Sequence, residues 1–222
     1  MNAVSKSGQP NSLHKPVVPI VFIVDDDLSV RESLELLVRA KGWHAETFGS
    51  AQEFLDRPRA HVPSCLVLDV SLPGLNGLEL QKRVAVERSD MPIIFITGHG
   101  DVPTSVEAMK AGAVEFLTKP FSNDVLVNAI RNALDRSRTA LSNGAEMQAL
   151  RDCYASLTHR EREVMTLVVS GLLNKQVGGE LGIHENTVKY HRAQTLKKMK
   201  ADSLADLVRK AARLGLTTVP KS

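Results

Sequence analysis

Residues 65–74 read Cys65-Leu66-Val67-Leu68-Asp69-Val70-Ser71-Leu72-Pro73-Gly74. Four apolar residues precede a single carboxylate, Asp69, and a Pro-Gly pair then breaks the chain. A short apolar run bounded by turn residues is typical of a strand that is buried on both faces, as in a parallel sheet. Asp69 is therefore expected at the carboxyl end of a central strand, where open α/β sheets bind their ligands. Because an Asp at such a place commonly only caps a turn, its role depends on the rest of the chain.

Composition divides the chain into an acidic front and a basic back. The 222 residues are 43% hydrophobic and 24% charged, ordinary values for a globular protein with a buried core. Residues 1–150 carry 15 Lys and Arg against 18 Asp and Glu, a net charge of −3, whereas residues 151–222 carry 13 against 7, a net charge of +6. This asymmetry favours two domains, of which the second has an anionic partner such as nucleic acid.

The cysteines and the hydropathy pattern bear on the cellular compartment. Cys65 and Cys153 lie far apart in the sequence, and neither belongs to a CxxC or Cys/His motif, which favours a reduced compartment and indicates no metal cluster. No apolar run approaches the roughly 18 residues of a membrane span. Residues 1–18 lack the apolar core of a signal peptide. We therefore expect a cytoplasmic protein with no membrane partner and a flexible tail at 1–18.

Apolar runs alternate with amphipathic segments over residues 19–137. The pattern predicts five strands, at 20–24, 43–48, 65–69, 92–97 and 114–118, and five helices, at 29–41, 51–55, 77–88, 103–111 and 122–137. Parallel strands joined by helices require right-handed crossovers. We therefore predict an α/β domain with a five-stranded, doubly wound parallel sheet.

Polar residues stand at the carboxyl ends of four of these predicted strands. They are Asp25, Asp26 and Asp27 after the first strand, Asp69 at the end of the third, Thr97 at the end of the fourth and Lys119 after the fifth. All of these residues are expected at one edge of the sheet, where crowded carboxylates need a cation. Oxygen ligands with vacant positions suit Mg²⁺, and a lysine and a threonine can receive phosphate oxygens. The pattern therefore predicts Mg²⁺-assisted phosphoryl transfer onto a carboxylate.

Together these motifs resemble the receiver domain of bacterial two-component response regulators, and the run from Thr97 to Pro103 is similar to the FixJ branch of that family. The resemblance implies that Asp69 is the phosphorylation site. It implies a Mg²⁺ site formed by Asp26, Asp69, the Ser71 carbonyl and, through a water, Asp25. It also implies that Thr97 and Lys119 contact the phosphoryl group and that Phe116 is the aromatic switch residue. Asp27 is expected to cap the next helix instead of binding the metal.

Residues 138–154 are predicted to form a linker between two domains. The tripeptide Ser142-Asn143-Gly144 predicts a turn or a break within it. An apolar seam follows at three-four spacing, formed by Met147, Leu150, Tyr154 and Leu157. Such a short seam can pair two chains or pack onto its own domains, and the sequence favours neither alternative.

A second domain of four helices is predicted over residues 155–216, followed by a tail at 217–222. Thr158 and Glu161 form a capping box for its first helix, and Asn174 can cap the second. Gly182 makes the turn before a third, basic helix that runs through Lys198, and a fourth helix ends at Arg213. A short helix, a turn with glycine and a longer basic helix are typical of a DNA-binding helix-turn-helix.

The same residues resemble the LuxR/NarL-type DNA-binding domain, through Leu157-Thr158-x-Arg160-Glu161 and Asn186-Thr187-Val188-Lys189-x-His191-Arg192. The resemblance implies that the third helix enters the major groove. It places Lys189, Tyr190 and Ala193 at the bases and Asn174, Lys175, Thr187 and Arg192 nearer the DNA backbone. Gly178 and Gly179 depart from the family pattern, since each glycine inside a helix costs roughly 1 kcal/mol against alanine.

We interpret the chain as a response regulator and DNA-binding transcription factor of the FixJ/NarL type. This interpretation implies a sensor histidine kinase that phosphorylates Asp69, a homodimer that forms on phosphorylation, and promoter DNA as the target. RNA polymerase is a further candidate partner. Because the kinase supplies the phosphoryl group, we do not expect the chain to be an enzyme in its own right.

Two alternatives stay open at this point. A phosphohydrolase of the haloacid-dehalogenase type would use Asp25 and Asp27 as nucleophile and acid/base, but it leaves Asp69 and the basic domain without a role. A DNA-binding protein could instead use the receiver as a dimer platform that is independent of phosphate. The intact acidic set argues against this second alternative.

Overall fold

The structure is a computed structural model that describes residues 17–98 and 100–216 of the chain. The chain divides into two compact units, Met1–Leu141 and Ser142–Ser222. Most of the tail predicted at 1–18, all of the tail predicted at 217–222, and His99 lie outside the described residues.

The first unit is built on a parallel sheet with the strand order β2-β1-β3-β4-β5. The strands are β1 (Ile20–Val24), β2 (His44–Phe48), β3 (Ser64–Asp69), β4 (Ile93–Thr97) and β5 (Glu115–Thr118). The helices between them are α1 (Leu28–Ala40), α2 (Ala51–Asp56), α3 (Gly77–Glu87) and α4 (Val102–Lys110), and α5 (Asn123–Ala155) follows β5. The five-stranded, doubly wound sheet predicted from the sequence is therefore confirmed.

Strand β3 lies at the centre of the sheet and is buried at every position. Alternate residues of the neighbouring β1 enter two apolar layers, one on each face of the sheet. Val21 and Ile23 pack with residues of α1 and α5, whereas Phe22 and Val24 pack with residues of α2, α3 and α4. This two-sided burial is the reason that β3 reads as a continuous apolar run.

Helix α5 differs from the sequence prediction. The predicted helix ended near Ser137, with a break at Ser142-Asn143-Gly144, but α5 is helical through these residues to Ala155. The predicted break is wrong because one Gly in an exposed part of a helix costs only about 1 kcal/mol, which the rest of a 33-residue helix can offset. The border between the two compact units falls inside the predicted linker, between Leu141 and Ser142.

The apolar seam of the predicted linker packs inside the second unit. Leu150 and Leu157 are buried, and Met147 and Tyr154 pack against the same cluster, which contains Leu207. Of the two alternatives for this seam, the structure shows packing onto its own domain.

The second unit contains the C-terminal part of α5 and four further helices among the described residues. They are α6 (His159–Val169), α7 (Asn174–Leu181), α8 (Glu185–Lys198) and α9 (Leu204–Arg213). Thr158 caps α6 in the predicted capping box with Glu161. Gly182 lies between α7 and α8 with φ of 64°, a left-handed conformation that glycine adopts without strain.

The predicted cap of α7 is wrong. Asn174 is the first residue of the helix, and the N-cap is Leu173, whose backbone N–H donates to Gln176 Oε1 at 2.8 Å. The Asn174 side chain instead accepts a hydrogen bond from Arg192 of α8 at 3.0 Å. An asparagine next to a helix start favours the cap by propensity, but here the tertiary hydrogen bond uses its side-chain oxygen.

Candidate functional site

Three carboxylates meet at the carboxyl edge of the sheet. Asp25 and Asp26 follow β1, and Asp69 ends the adjacent β3. Asp25 and Asp69 are buried, whereas Asp26 is exposed, and one carboxylate oxygen from each lies within 4.8 Å of the others. The parallel pairing of β1 with β3 brings the three groups together, as the strand-end pattern predicted.

Backbone amides hold two of these carboxylates in place. The Asp27 N–H donates to Asp25 Oδ1 at 2.9 Å, and the Ser71 N–H donates to Asp69 Oδ1 at 2.9 Å. In addition, the Arg31 guanidinium of α1 donates to the backbone oxygen of Asp25 at 2.6 Å. Each carboxylate therefore keeps its second oxygen for another partner, and that partner is the same lysine in both cases.

Lys119 lies just after β5 and reaches across to both carboxylates. Its Nζ is 2.6 Å from Asp25 Oδ2 and 2.8 Å from Asp69 Oδ2. Burial alone would lower the pKa of Lys119, but the hydrogen bonds to the two carboxylates outweigh burial and raise that pKa. Burial raises the pKa of Asp25, and the hydrogen bond from Lys119 opposes this shift. Lys119 therefore places a positive charge between the Asp25 and Asp69 carboxylates.

The donor set of this edge fits a hard divalent cation. Three carboxylates from two adjacent strand ends place oxygen atoms close together, and one of them, Asp26, is exposed. Mg²⁺ prefers oxygen ligands and keeps several waters, so a partly open cluster of this kind is compatible with it. Ser71 is exposed beside Asp69, where its carbonyl is predicted as a further ligand.

Thr97 lies on β4, next to the strand that ends in Asp69, and Phe116 lies on β5, one strand further along the sheet. Thr97 is the buried last residue of β4, which pairs directly with β3. The Lys119 N–H donates to the Thr97 carbonyl at 2.7 Å, so the two predicted phosphate contacts are joined through the backbone. The Phe116 ring is half-buried on β5 and packs against Phe95, with ring centroids 6.1 Å apart.

Asp27 is a helix cap, as predicted from the sequence. Its Oδ1 accepts hydrogen bonds from the backbone N–H groups of Ser29 and Val30, at 2.8 and 3.4 Å. Its carboxylate is thus used at the start of α1, and it is not part of the cluster of Asp25, Asp26 and Asp69. This arrangement argues against the phosphohydrolase alternative, which pairs Asp25 with Asp27.

The second candidate surface is formed by α7 and α8. Lys175, Thr187, Lys189, Tyr190 and Ala193 are exposed, and Tyr190 is the large aromatic residue among them. Asn174 and Arg192 are half-buried and hydrogen-bonded to each other. The structure therefore brings the seven predicted DNA contacts onto two adjacent helices, and their contact with DNA stays a prediction.

One residue of this surface, Glu185, was not predicted from the sequence. Glu185, the first residue of α8, forms an ion pair with Lys189, with Oε1 3.1 Å from Nζ. The four-residue spacing of an acid and a lysine on a helix is a signal that could have found it.

None of the helices in the part of the chain that the structure describes is both long and apolar enough to cross a membrane.

Comparison with known proteins gives two family matches. A family model of the response regulator receiver domain matches residues 21–131, and a model of bacterial regulatory proteins of the luxR family matches residues 155–211. The chain is 47% identical to nodulation protein W of Bradyrhizobium diazoefficiens over 210 residues, which are 95% of this chain and 92% of that protein. It is 43% identical to the transcriptional regulatory protein FixJ of the same organism, over 88% of this chain and 96% of that one.

A solved structure of a response regulator has a similar fold. The response regulator StyR, at 45% identity, aligns with a TM-score of 0.80 over 88% of this chain and 99% of that chain. The matches cover both the sheet with the acidic cluster and the helical unit with the basic helix.

Proposed function

The chain belongs to the bacterial response regulators of the FixJ/NarL type, which join a receiver domain to a LuxR-type DNA-binding domain, and we propose that phosphorylation of Asp69 controls its binding to promoter DNA. Phosphorylation and dimerisation are typical of this family, and its architecture implies a sensor histidine kinase and DNA as partners. Because the members of this family are transcription regulators, membership favours a role in the control of transcription over a role as an enzyme. With these two partners, we place the protein in the cytoplasm.

The observation that carries this proposal is the contact of Lys119 with Asp69 inside the acidic cluster. Asp69 is held by the Ser71 amide at one oxygen and by Lys119 Nζ at the other, 2.8 Å away. The bond between phosphorus and the kinase histidine would break as an Asp69 oxygen attacks phosphorus, leaving an acyl phosphate on Asp69. Lys119 and Thr97 would then receive the phosphoryl oxygens.

We propose that Asp25, Asp26 and Asp69 hold Mg²⁺ together with the Ser71 carbonyl. When bound, the ion supplies positive charge that offsets the three carboxylates and the incoming phosphoryl oxygens. The protein itself fixes Asp25 and Asp69 through backbone amides, which positions their oxygens before any ligand arrives.

A homodimer that forms on phosphorylation is supported by the face of α4. Val102, Val106 and Met109 are 74%, 43% and 46% exposed and follow i, i+4, i+7 spacing, so they form one apolar stripe. This stripe borders a groove of about 330 Å³ that Phe116 also lines. Movement of Thr97 and Phe116 on phosphorylation would reshape this groove, and the apolar stripe would pack against a second copy.

At the DNA, we propose that Lys189, Tyr190 and Ala193 meet base edges. Asn174, Lys175, Thr187 and Arg192 would meet the phosphate backbone and position the domain. Support comes from the exposure of the first three residues and from the hydrogen bond that fixes Arg192 against Asn174. RNA polymerase is a candidate partner once the protein is bound at a promoter.

The proposal is tested with acetyl phosphate as the phosphoryl donor. In the presence of Mg²⁺, sedimentation should show a monomer that becomes a dimer, and affinity for a duplex selected from a random pool should rise. If the protein is a dimer and binds DNA equally well with and without acetyl phosphate, the receiver is a phosphate-independent platform and the proposal is wrong.

A further inference from the structure

Helix α8 carries an acid on the side that faces DNA in the proposed function. Glu185 is the first residue of the helix and Lys189 lies one turn later. Their side chains are 42% and 57% exposed, and Glu185 Oε1 lies 3.1 Å from Lys189 Nζ. The rest of the helix is basic, with Arg192, Lys197 and Lys198 following.

The position of this pair matters because of how a helix-turn-helix docks. The second helix of the motif lies in the major groove, and its N-terminal residues approach the base edges. Glu185 and Lys189 occupy the first two turns of that helix. A carboxylate placed there repels DNA phosphates on every sequence, so it lowers affinity for random DNA. It can regain this loss only where a base offers it a hydrogen-bond donor.

The hydrogen-bond donors and acceptors of Glu185 and Lys189 together match those of one base pair. A lysine ammonium has three donors, of which one is used by Glu185, and the carboxylate keeps free acceptor positions. Guanine presents two acceptors, O6 and N7, in the major groove, and its partner cytosine presents the N4 donor. O6 and N4 are hydrogen-bonded to each other and therefore lie about 3 Å apart, close to the separation of the two side-chain atoms.

We propose that Glu185 and Lys189 act as one unit that reads a C·G base pair, with Lys189 donating to guanine and Glu185 accepting from the cytosine amino group. An A·T pair also places a donor beside an acceptor, but it offers the ammonium one thymine oxygen beside a methyl group. Guanine fits better because its two acceptors match the two remaining donors. This inference rests on the proposed DNA binding, and it adds a specificity-determining residue to it.

A local explanation makes a different prediction. An acid in the first turn of a helix stabilises the helix, and an acid-lysine pair four residues apart does the same. Asp206 and Lys210 of α9 form such a pair, with Oδ2 2.9 Å from Nζ and the acid in the first turn. Asp206→Asn is therefore the matched control, since it removes the same charge from the same kind of pair on another helix.

The experiment uses the full chain and a duplex selected from a random pool with the wild type. Each base pair of the duplex is replaced in turn, and dissociation constants are measured for the wild type, Glu185→Gln, Lys189→Gln, the double variant and Asp206→Asn. In the wild type, replacing one C·G pair should weaken binding roughly tenfold. Glu185→Gln should lose most of that discrimination and bind random DNA more tightly. The double variant should lose little more than either single variant at that base pair.

Three results would overturn the inference. Glu185→Gln could strengthen binding to every duplex by the same factor, which would mean that Glu185 acts only by repelling DNA phosphates. The pair whose discrimination Glu185→Gln removes could be A·T. Asp206→Asn could change the base-pair profile in the same way, which is an effect of stability. A wild type with no sequence preference would instead contradict the proposed function itself. Circular dichroism melting of each variant checks that the helices are intact.

Discussion

Lys119 Nζ lies 2.8 Å from Asp69 Oδ2, so an ammonium group is already in contact with the proposed phosphorylation site. The same nitrogen lies 2.6 Å from Asp25 Oδ2. One side chain thus connects the residues that follow β5 to the ends of β1 and β3. A phosphoryl group on Asp69 would compete with both carboxylates for this ammonium, which gives a physical route from the modification to β5 and its residue Phe116.

Replacement of Lys119 by alanine should separate phosphorylation from dimerisation. The carboxylates proposed to hold Mg²⁺ remain, so Lys119→Ala should still bind Mg²⁺ in a fluorescence or calorimetric titration. It should not dimerise on treatment with acetyl phosphate, because the phosphoryl oxygens lose the ammonium that links them to the residues after β5. Lys41→Ala, an exposed lysine after α1, is the control and should behave as wild type. Dimerisation of Lys119→Ala at wild-type levels of phosphorylation would show that the lysine has no switching role.

Residues that read bases should differ from residues that bind phosphates in their salt dependence. Replacing Lys189 or Tyr190 by alanine should cost about 1–3 kcal/mol on the preferred site and less on random DNA. Replacing Arg192 or Lys175 should weaken both DNAs about equally and reduce the slope of log K against log salt by roughly one unit. Binding titrations at several salt concentrations decide this. An equal loss on both DNAs for Lys189→Ala would mean that α8 does not dock as proposed.

The two adjacent glycines of α7 should respond in opposite ways to alanine. A Cβ at Gly178 would lie 2.8 Å from the backbone oxygen of Ile183, whereas a Cβ at Gly179 would have no atom within 4 Å. Gly178→Ala should therefore destabilise the second unit by roughly 1–3 kcal/mol through overpacking. Gly179→Ala should stabilise it by about 0.5–1 kcal/mol, because alanine is the better helix former.

Spectroscopy can assign these glycine effects to one unit. Both tyrosines, Tyr154 and Tyr190, lie in the second unit, and the single tryptophan, Trp43, lies in the first. Denaturant unfolding followed by tyrosine absorbance should therefore shift in both variants, while Trp43 fluorescence should report an unchanged first unit. Equal effects of the two substitutions would contradict the close approach of Ile183.

The ion pair of Glu161 with Lys198 should make the second unit sensitive to acid. Glu161 is 4% exposed, and its Oε2 lies 2.7 Å from Lys198 Nζ. Burial alone would raise the pKa of Glu161, but hydrogen bonds from Lys198 and from Thr158 outweigh burial and lower that pKa. A carboxylate with a lowered pKa contributes stability above its unfolded pKa, and the contribution is lost as the pH falls through the folded pKa.

Glu161→Gln should therefore destabilise the second unit at pH 7 by about 1–3 kcal/mol, since Lys198 loses its charged partner. The difference from wild type should shrink as the pH falls below the ordinary glutamate pKa of about 4.3. Urea unfolding between neutral and acid pH, followed by tyrosine absorbance, measures this. A difference that stays constant over the whole range would mean that the charge of Glu161 does not carry the effect.

The sheet and the acidic edge could be predicted because their signals are local. The apolar run before Asp69 identifies a buried parallel strand. Because parallel strands have their carboxyl ends at one edge of the sheet, the polar residues at those ends are brought together there. The continuation of α5 through Gly144 could not be predicted in this way, because a weak local break competes with the whole length of the helix. The hydrogen bond of Asn174 with Arg192 could not be predicted either, because it joins two helices and a helix-cap pattern involves only neighbouring residues in the sequence.

The central claim is that Asp69 is the phosphoryl acceptor. Incubation with acetyl phosphate and Mg²⁺, followed by intact mass spectrometry, tests it most directly. Wild type and the control Asp56→Asn should each gain one phosphoryl group, and Asp69→Asn should gain none. Phosphorylation of Asp69→Asn at the wild-type level, or its labelling at Asp25, would contradict the account.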